Sequence, residues 1–119
     1  MFIYYVNVPL NDSGIEEFES CAEEMPNVYT EELSEEEYKV LRKPNGLFQL
    51  FDQTFGIIID VCEEERIEKN QVEKAIELAE NRLKKIKNPI EISAINKMLQ
   101  ALIVARESET FCEIDIYLE

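Results

Sequence analysis

The chain has 119 residues, of which 26 are acidic, 12 are basic and none is histidine, so its formal net charge is −14. This length suits a single domain over residues 1–119, and the apolar fraction of 45% matches the roughly 45–50% of globular proteins. The negative charge, with an isoelectric point near 4.4, disfavours nucleic acids and anionic membranes as partners because it repels both.

The first residues and the cysteines predict where the protein works. Residues 1–10 contain no basic side chain and only a short apolar stretch, unlike a secretory signal. No apolar run approaches the roughly 18 residues of a membrane span, so we expect a cytoplasmic protein. The cysteines, Cys21, Cys62 and Cys112, are odd in number and far apart, which predicts buried, inert thiols rather than disulfides or a metal motif.

Both ends of the chain show the alternation of a β-strand. Apolar and polar side chains alternate over residues 2–8 and again over residues 112–118, which predicts two strands with one buried face each. In the second strand, Glu113, Asp115 and Tyr117 fall on the face expected to meet water. Because a lone strand is unstable, we expect the two strands to be neighbours in one sheet.

Four helix starts are predicted by a small polar residue followed three positions later by glutamate, the pattern of a capping box or its Asn variant. Pro26 indicates the end of the first helix, and the turn at residues 43–46 indicates the end of the second. The third and fourth helices are predicted over residues 71–87 and 89–106, with the more apolar fourth at the centre. The four pairs are Ser13 with Glu16, Ser34 with Glu37, Asn70 with Glu73, and Asn88 with Glu91.

Residues 47–62 are ambiguous, because β-branched residues coincide with aromatic residues at helical spacing. We favour a short helix over residues 47–52 and a strand over residues 56–61. Together the patterns predict an α+β domain that is mainly helical. About four amphipathic helices pack on a small sheet that includes the N- and C-terminal strands.

The sequence contains few of the residues that enzymes commonly use for catalysis. The absence of histidine removes the commonest general base and most zinc sites, and three glycines cannot form a glycine-rich nucleotide loop. We expect no enzyme, no cofactor and no metal. The glutamate triplets at residues 35–37 and 63–65 lack the spacing of a calcium loop. Asp60, flanked by apolar residues, is the candidate acid of a carboxylate-dependent hydrolase, although a cap or a strand end explains it better.

Acidic residues are concentrated in the first third of the chain. Up to Tyr38 there are eleven Asp and Glu residues and no Lys or Arg, although a solubility surface usually mixes both signs. A surface that keeps such repulsion is a candidate for binding a cationic partner, with Tyr29 and Tyr38 as candidate anchors. The residues predicted to bind the partner, on acidic helices between residues 13 and 38, are Glu16, Glu19, Glu23, Tyr29, Glu31, Glu32, Glu35 and Glu36.

The segment Phe55-Gly56-Ile57-Ile58-Ile59-Asp60, followed by the second glutamate triplet and a long amphipathic helix, resembles the small acidic immunity proteins of bacterial toxin-immunity pairs. The resemblance implies a stoichiometric complex in which the protein blocks a cognate toxin without turnover. The expected function is therefore that of a non-catalytic protein that neutralises a basic partner, with a nuclease among the candidate toxins. The alternatives are an assembly module that forms a homo-oligomer and the hydrolase described above.

Overall fold

The computed structural model describes residues 1–60 and 64–119, in which five α-helices accompany a four-stranded antiparallel sheet. The predicted α+β class is confirmed. The helix at Leu47–Phe55 lies in the region where the sequence allowed either a helix or a strand. A 3₁₀ turn at Lys69–Gln71 leads into the helix at Val72–Leu83. The elements are β1 (Phe2–Pro9), α1 (Asp12–Glu19), β2 (Val28–Leu33), α2 (Glu35–Arg42), α3 (Leu47–Phe55), β3 (Glu64–Ile67), α4 (Val72–Leu83), α5 (Pro89–Ser108) and β4 (Cys112–Leu118).

The sheet has the strand order β2-β1-β4-β3, and each neighbouring pair is antiparallel. The terminal strands are therefore neighbours, as predicted, with Val6 opposite Ile114 and Asn7 opposite Glu113. β2 and β3 form the two edges, and the sequence analysis predicted neither of them.

The apolar face of the sheet packs against α2 and α5, and α3 and α4 pack in turn against these two helices. Tyr4, Val6 and Val8 of β1 are buried there, and the ring of Tyr4 stacks on that of Tyr38 from α2, with centroids 4.3 Å apart. α5 contacts β1, β2 and β4 as well as α2 and α4, which confirms its central position. Burial of apolar surface, worth roughly 25 cal/mol per Å², is the main favourable term in folding.

The other face of the sheet is polar, but of the three β4 side chains predicted to meet water only Tyr117 is exposed. Glu113 is only 7% exposed and Asp115 is fully buried. Phe18 of α1 and Arg66 of β3 line a cavity together with both carboxylates, so α1 lies over this face. Alternation in β4 correctly separated the two faces, but it could not show that a helix covers the polar one.

Two of the four predicted helix starts are confirmed. Ser34 Oγ accepts a hydrogen bond from the Glu37 N–H at 3.1 Å, and the Glu37 carboxylate accepts one from the Ser34 N–H at 2.9 Å. These bonds form a complete capping box for α2. Asn88 accepts hydrogen bonds from two backbone N–H groups in the first turn of α5, with Pro89 as the first helical residue.

The other two predicted starts are wrong. α1 is capped by Asn11, whose side chain accepts a hydrogen bond from an N–H in the first turn, so the helix begins before Ser13. α4 follows the 3₁₀ turn, in which Glu68 and Gln71 satisfy each other's backbone groups, instead of starting at an Asn70 cap. In both cases a side chain close to the predicted cap makes the capping hydrogen bond. The spacing between a polar residue and a later glutamate cannot show which of several nearby polar residues is the cap.

α1 is eight residues long and does not reach residue 25 as predicted. Cys21 adopts a left-handed φ of 54°, and the chain then turns towards β2. Glu17 fixes this turn by accepting hydrogen bonds from the backbone N–H and the side-chain amide of Asn27, at 3.0 and 2.7 Å. Gly14 permits the close approach, because a Cβ there would lie 2.1 Å from the Asn27 carbonyl oxygen.

The cysteines are not all buried. Cys21 is exposed because α1, which was predicted to include it, ends at Glu19. Cys112 is buried in β4, where burial and the nearby charges of Asp115 and Glu113 raise the pKa of its thiol to about 12. The prediction of a buried, inert thiol is therefore confirmed for Cys112 and wrong for Cys21, while Cys62 lies outside the described residues.

α3 runs three residues further than predicted and ends at Gly56, whose φ of 68° is in the left-handed region that favours glycine. The strand predicted over residues 56–61 is absent from its described part, residues 56–60. Asp52 holds this segment in place, because one of its oxygens accepts a hydrogen bond from the Ile59 N–H at 2.9 Å and the other accepts one from Arg42 at 2.8 Å.

Candidate functional site

The residues predicted to bind a partner lie on the edge strand β2 as well as on the two helices beside it and the loop after α1. α1 contacts this strand from the polar face of the sheet, and α2 contacts it from the apolar face. We call the predicted set the acidic surface. Glu16 and Glu19 lie on α1, Glu23 in the loop that follows it, Tyr29, Glu31 and Glu32 on β2, and Glu35 and Glu36 in the first turn of α2.

The glutamates on and after α1 reach solvent without cationic partners. Glu16, Glu19 and Glu23 are exposed, and none of them forms an ion pair within the described chain. The last turn of α1 has no basic residue, so the negative end of the helix dipole lies near Glu19. This part of the acidic surface is therefore repulsive in the isolated protein.

β2 divides its three members of the acidic surface between the two faces of the sheet. The register places Tyr29 and Glu31 on the helical side and Glu32 on the polar side. The Tyr29 hydroxyl donates a hydrogen bond to Glu31 at 2.9 Å, and burial together with this bond raises the pKa of Tyr29 to about 12. Tyr29 is half-buried and Tyr38 is buried, so of the two candidate anchors Tyr29 is the one that keeps access to solvent.

α2 carries one structural carboxylate and two that remain available. Glu37 is buried, and burial disfavours its charge, but the capping hydrogen bond and a 2.9 Å bond from Lys97 outweigh burial and lower the pKa of Glu37. Glu35 forms an exposed ion pair with Lys39 at 3.6 Å, which is worth little. Glu36 is exposed and has no ion pair among the described residues.

The chain's own cations leave the acidic surface largely uncompensated. Of the eleven carboxylates before Lys39, Glu35 and Glu37 are the two that form ion pairs within the described residues. The shorter ion pairs outside this segment join Arg42 to Asp52, Lys43 and Arg82 to Glu91, and Arg66 to Glu113.

A cavity of about 720 Å³ adjoins the acidic surface at one end of the sheet. The residues that line it include two glutamates, Glu32 and Glu35, and two aromatic residues, Phe2 and Tyr4. A lysine or arginine side chain combines an apolar stem with a charged head. The cavity therefore offers suitable surroundings for a basic side chain of a partner.

A second group of carboxylates, which the sequence analysis missed, lies on the polar face of the sheet between β3 and β4. Glu64, Glu113 and Asp115 each place an oxygen within 4.8 Å of the others, and we call them the carboxylate cluster. The register explains the grouping, because Glu64 lies opposite Asp115 and Arg66 lies opposite Glu113.

Two donors hold the buried members of the carboxylate cluster. Arg66 donates from Nε and Nη2 to Glu113 Oε1 at 3.1 and 2.9 Å, and Asn7 Nδ2 donates to Asp115 Oδ2 at 2.7 Å. Asp115 Oδ1 is buried and has no hydrogen-bond partner within the described chain. Burial and the neighbouring Asp115 raise the pKa of Glu113 to about 8, although Arg66 opposes them.

The cavity beside the carboxylate cluster is small. Its volume is about 180 Å³, and Phe18, Glu19, Cys21 and Tyr117 complete its lining. Sites for organic ligands usually measure roughly 300–1,000 Å³, so this cavity fits an ion with its water better than a substrate. The alternation in β4 was a usable signal for two of the carboxylates, but the third depends on the register of a strand that was not predicted.

Comparison of this chain with protein-family models, curated proteins and solved structures finds no match. The resemblance to immunity proteins thus rests on the sequence features described above and stays a prediction. Among the helices of residues 1–60 and 64–119, none combines the length and the apolarity that crossing a bilayer requires.

Proposed function

We propose that this chain is a non-catalytic acidic binding protein that neutralises a basic protein partner, and that it acts in the cytoplasm as an immunity protein against a cognate bacterial toxin. The observation that supports this function is the acidic surface. Its carboxylates surround one edge of the sheet, and within the described chain Glu35 alone among them has a cationic partner. The resemblance to immunity proteins supplies the class of partner.

Repulsion within the acidic surface would be relieved by a basic partner. Like charges one helical turn apart destabilise a helix by a few tenths of a kcal/mol per pair. A complementary positive surface turns this repulsion into attraction and speeds association by roughly 10- to 1,000-fold at low salt. A nuclease is a suitable toxin because its basic groove is built to receive phosphates, which carboxylates can replace.

The test uses the products of the two genes that flank the gene for this chain. One of them should arrest growth when expressed alone, and co-expression of this chain should restore growth. The purified pair should form a complex whose association rate falls steeply as NaCl rises. Replacing Glu16, Glu19 and Glu23 with Lys should lower that rate at least about tenfold at low salt.

The control variant changes the net charge equally at exposed acids outside the acidic surface, namely Glu77, Glu80 and Glu107 to Lys. The control should change the association rate much less than the first variant does. Absence of binding to either flanking gene product would reject the immunity function. Equal effects of the two variants would reject the acidic surface as the docking site.

The assembly hypothesis has one observation in its favour. Phe2 and Leu118 lie opposite each other at one end of the sheet, and both are exposed. The adjacent edge strand, however, carries Glu31 and Glu32, and charged edges disfavour pairing between copies. Sedimentation at low and high salt separates the two hypotheses, because an apolar self-interface persists in salt that weakens charge-driven docking.

The hydrolase hypothesis receives less support from the geometry. Asp60, its candidate acid, is exposed rather than enclosed in a cleft. Glu113 has a raised pKa, which a general acid needs, but its cavity is smaller than an organic substrate requires. The proposal therefore remains a binding function.

A further inference from the structure

We propose that the carboxylate cluster, Glu64, Glu113 and Asp115, binds one divalent cation, and that the cation is Ca²⁺. This inference is independent of the proposed immunity function. The sequence predicts no metal site, because the glutamate triplet at residues 63–65 lacks the spacing of a calcium loop. Pairing of β3 with β4 supplies ligands in a different way, by bringing one member of that triplet opposite two acids of another strand.

Some oxygens of the carboxylate cluster remain available to ligate a cation. Arg66 occupies Glu113 Oε1 and Asn7 occupies Asp115 Oδ2. Asp115 is fully buried and lines the cavity. With both acids ionised, its Oδ1 has no hydrogen-bond partner within the described chain, whereas a proton on either acid allows Glu113 and Asp115 to share a hydrogen bond. A buried carboxylate oxygen left without a donor is costly, and a cation in the cavity would satisfy it.

Hydrogen bonds from neighbouring side chains hold the two buried ligands, Asp115 and Glu113, in place. Thr30 Oγ1 donates to Asn7 Oδ1 at 2.7 Å, and Asn7 in turn donates to Asp115. Arg66 fixes Glu113 with two hydrogen bonds and lies 3.6 Å over the ring of Phe111. Partners of this kind orient the ligating carboxylates of metal sites and raise metal affinity.

The charge of the carboxylate cluster and the spacing of its oxygens suit a divalent cation. Three carboxylates face one guanidinium, so the cluster carries an excess of two negative charges once Glu113, whose raised pKa keeps its proton near neutral pH, is ionised. A divalent cation would match that excess. Oxygen ligands favour Ca²⁺ or Mg²⁺. The oxygens all lie within 4.8 Å of one another, a span that two Ca²⁺–oxygen distances of about 2.4 Å can bridge. Ca²⁺ also accepts irregular coordination, whereas Mg²⁺ demands near-ideal octahedral geometry.

The experiment titrates the chelator-treated protein with CaCl₂ by calorimetry and follows thermal unfolding in parallel, in about 0.15 M NaCl so that diffuse attraction to the acidic chain is screened. We expect one Ca²⁺ per chain, a dissociation constant of about 1 mM or lower, and a rise in melting temperature that added NaCl of equal ionic strength does not reproduce. MgCl₂ should bind more weakly.

The variants test the location of the site. Glu64→Gln changes an exposed ligand and should weaken Ca²⁺ binding at least about tenfold, as should Asp115→Asn. The matched control is Glu65→Gln, which removes the same charge from the next residue of β3, on the other face of the sheet, and should alter binding less than about twofold. No Ca²⁺ binding at about 5 mM, or equal losses from Glu64→Gln and Glu65→Gln, would overturn the proposal.

Discussion

Two buried glutamates show how neighbours decide the charge of a carboxyl group. Glu91 is 2% exposed and receives hydrogen bonds from Lys43 at 2.7 Å and from Arg82 at 2.9 and 3.1 Å. Burial disfavours its charge, but the two cations outweigh burial and lower the pKa of Glu91. Glu113 has one cation and one acidic neighbour, and its pKa is raised. The balance of partners, rather than burial alone, sets the direction.

Replacing Glu91 with Gln should destabilise the protein, because Glu91 joins the start of α5 to α4 and to the turn after α2. Removing one member of a buried ion pair costs about 3–5 kcal/mol, and we expect about 3 kcal/mol at pH 7 since Lys43 and Arg82 can regain water. A lowered folded pKa means that this stability is complete above the unfolded pKa of about 4.3 and is lost as pH falls through the folded value.

Urea unfolding of both proteins from pH 7 to pH 3 checks this prediction. The difference in the free energy of unfolding between the native protein and Glu91→Gln should shrink below about pH 4. Glu107→Gln, at an exposed position of the same helix, should stay within about 0.5 kcal/mol of the native protein. A difference that is constant across the pH range would contradict the ionic role of Glu91.

At the scale of elements, the sequence predicted those whose signals are local. Alternation found β1 and β4, and the spacing of Ser34 and Asn88 to the following glutamates found the starts of α2 and α5. β2 and β3 were missed because they are short edge strands whose backbone partners lie far away in the chain. The end of α1 was missed because the turn that follows it is held by hydrogen bonds from Asn27 to Glu17, which no local pattern reports.

Two alanine variants can test whether Asn11 or Ser13 caps the start of α1. Asn11→Ala removes the side chain that accepts a hydrogen bond from the Gly14 N–H at 2.9 Å, and loss of such a cap costs about 1 kcal/mol. Ser13→Ala removes the cap that the sequence predicted, and it should change the free energy of unfolding by less than about 0.5 kcal/mol. Denaturant unfolding measures both variants, and a larger loss in Ser13→Ala would show that the helix begins later.

At the scale of the whole molecule, charge is separated rather than mixed. The shorter ion pairs join α2 to α3, α5 to α4 and to the turn after α2, and β3 to β4, while the acidic surface lies around the β2 edge. The acidic surface could be predicted from the sequence because exposed glutamates need no tertiary contact to be recognised. The carboxylate cluster could not, since it exists only when the register of β3 against β4 is known.

This separation predicts that the isolated protein is destabilised by its own acidic surface. Replacing Glu16, Glu19 and Glu23 with Lys should stabilise it by about 1 kcal/mol at low salt, because repulsion becomes attraction and a cation at position 19 complements the end of the α1 dipole. For a domain of this size the melting temperature should rise by roughly 3–5 °C.

The dependence of the melting temperature on salt checks that prediction. Raising NaCl from about 0.02 to 0.5 M screens surface charges, so it should stabilise the native protein more than the lysine variant, and the two melting temperatures should converge. Changing Glu77, Glu80 and Glu107 to Lys alters the net charge equally but breaks the 3.2 Å pair of Glu77 with Lys74, so it should give a smaller gain. A fall in stability in the first variant would mean that the fold uses those three carboxylates, and the acidic surface would then need no partner to explain it.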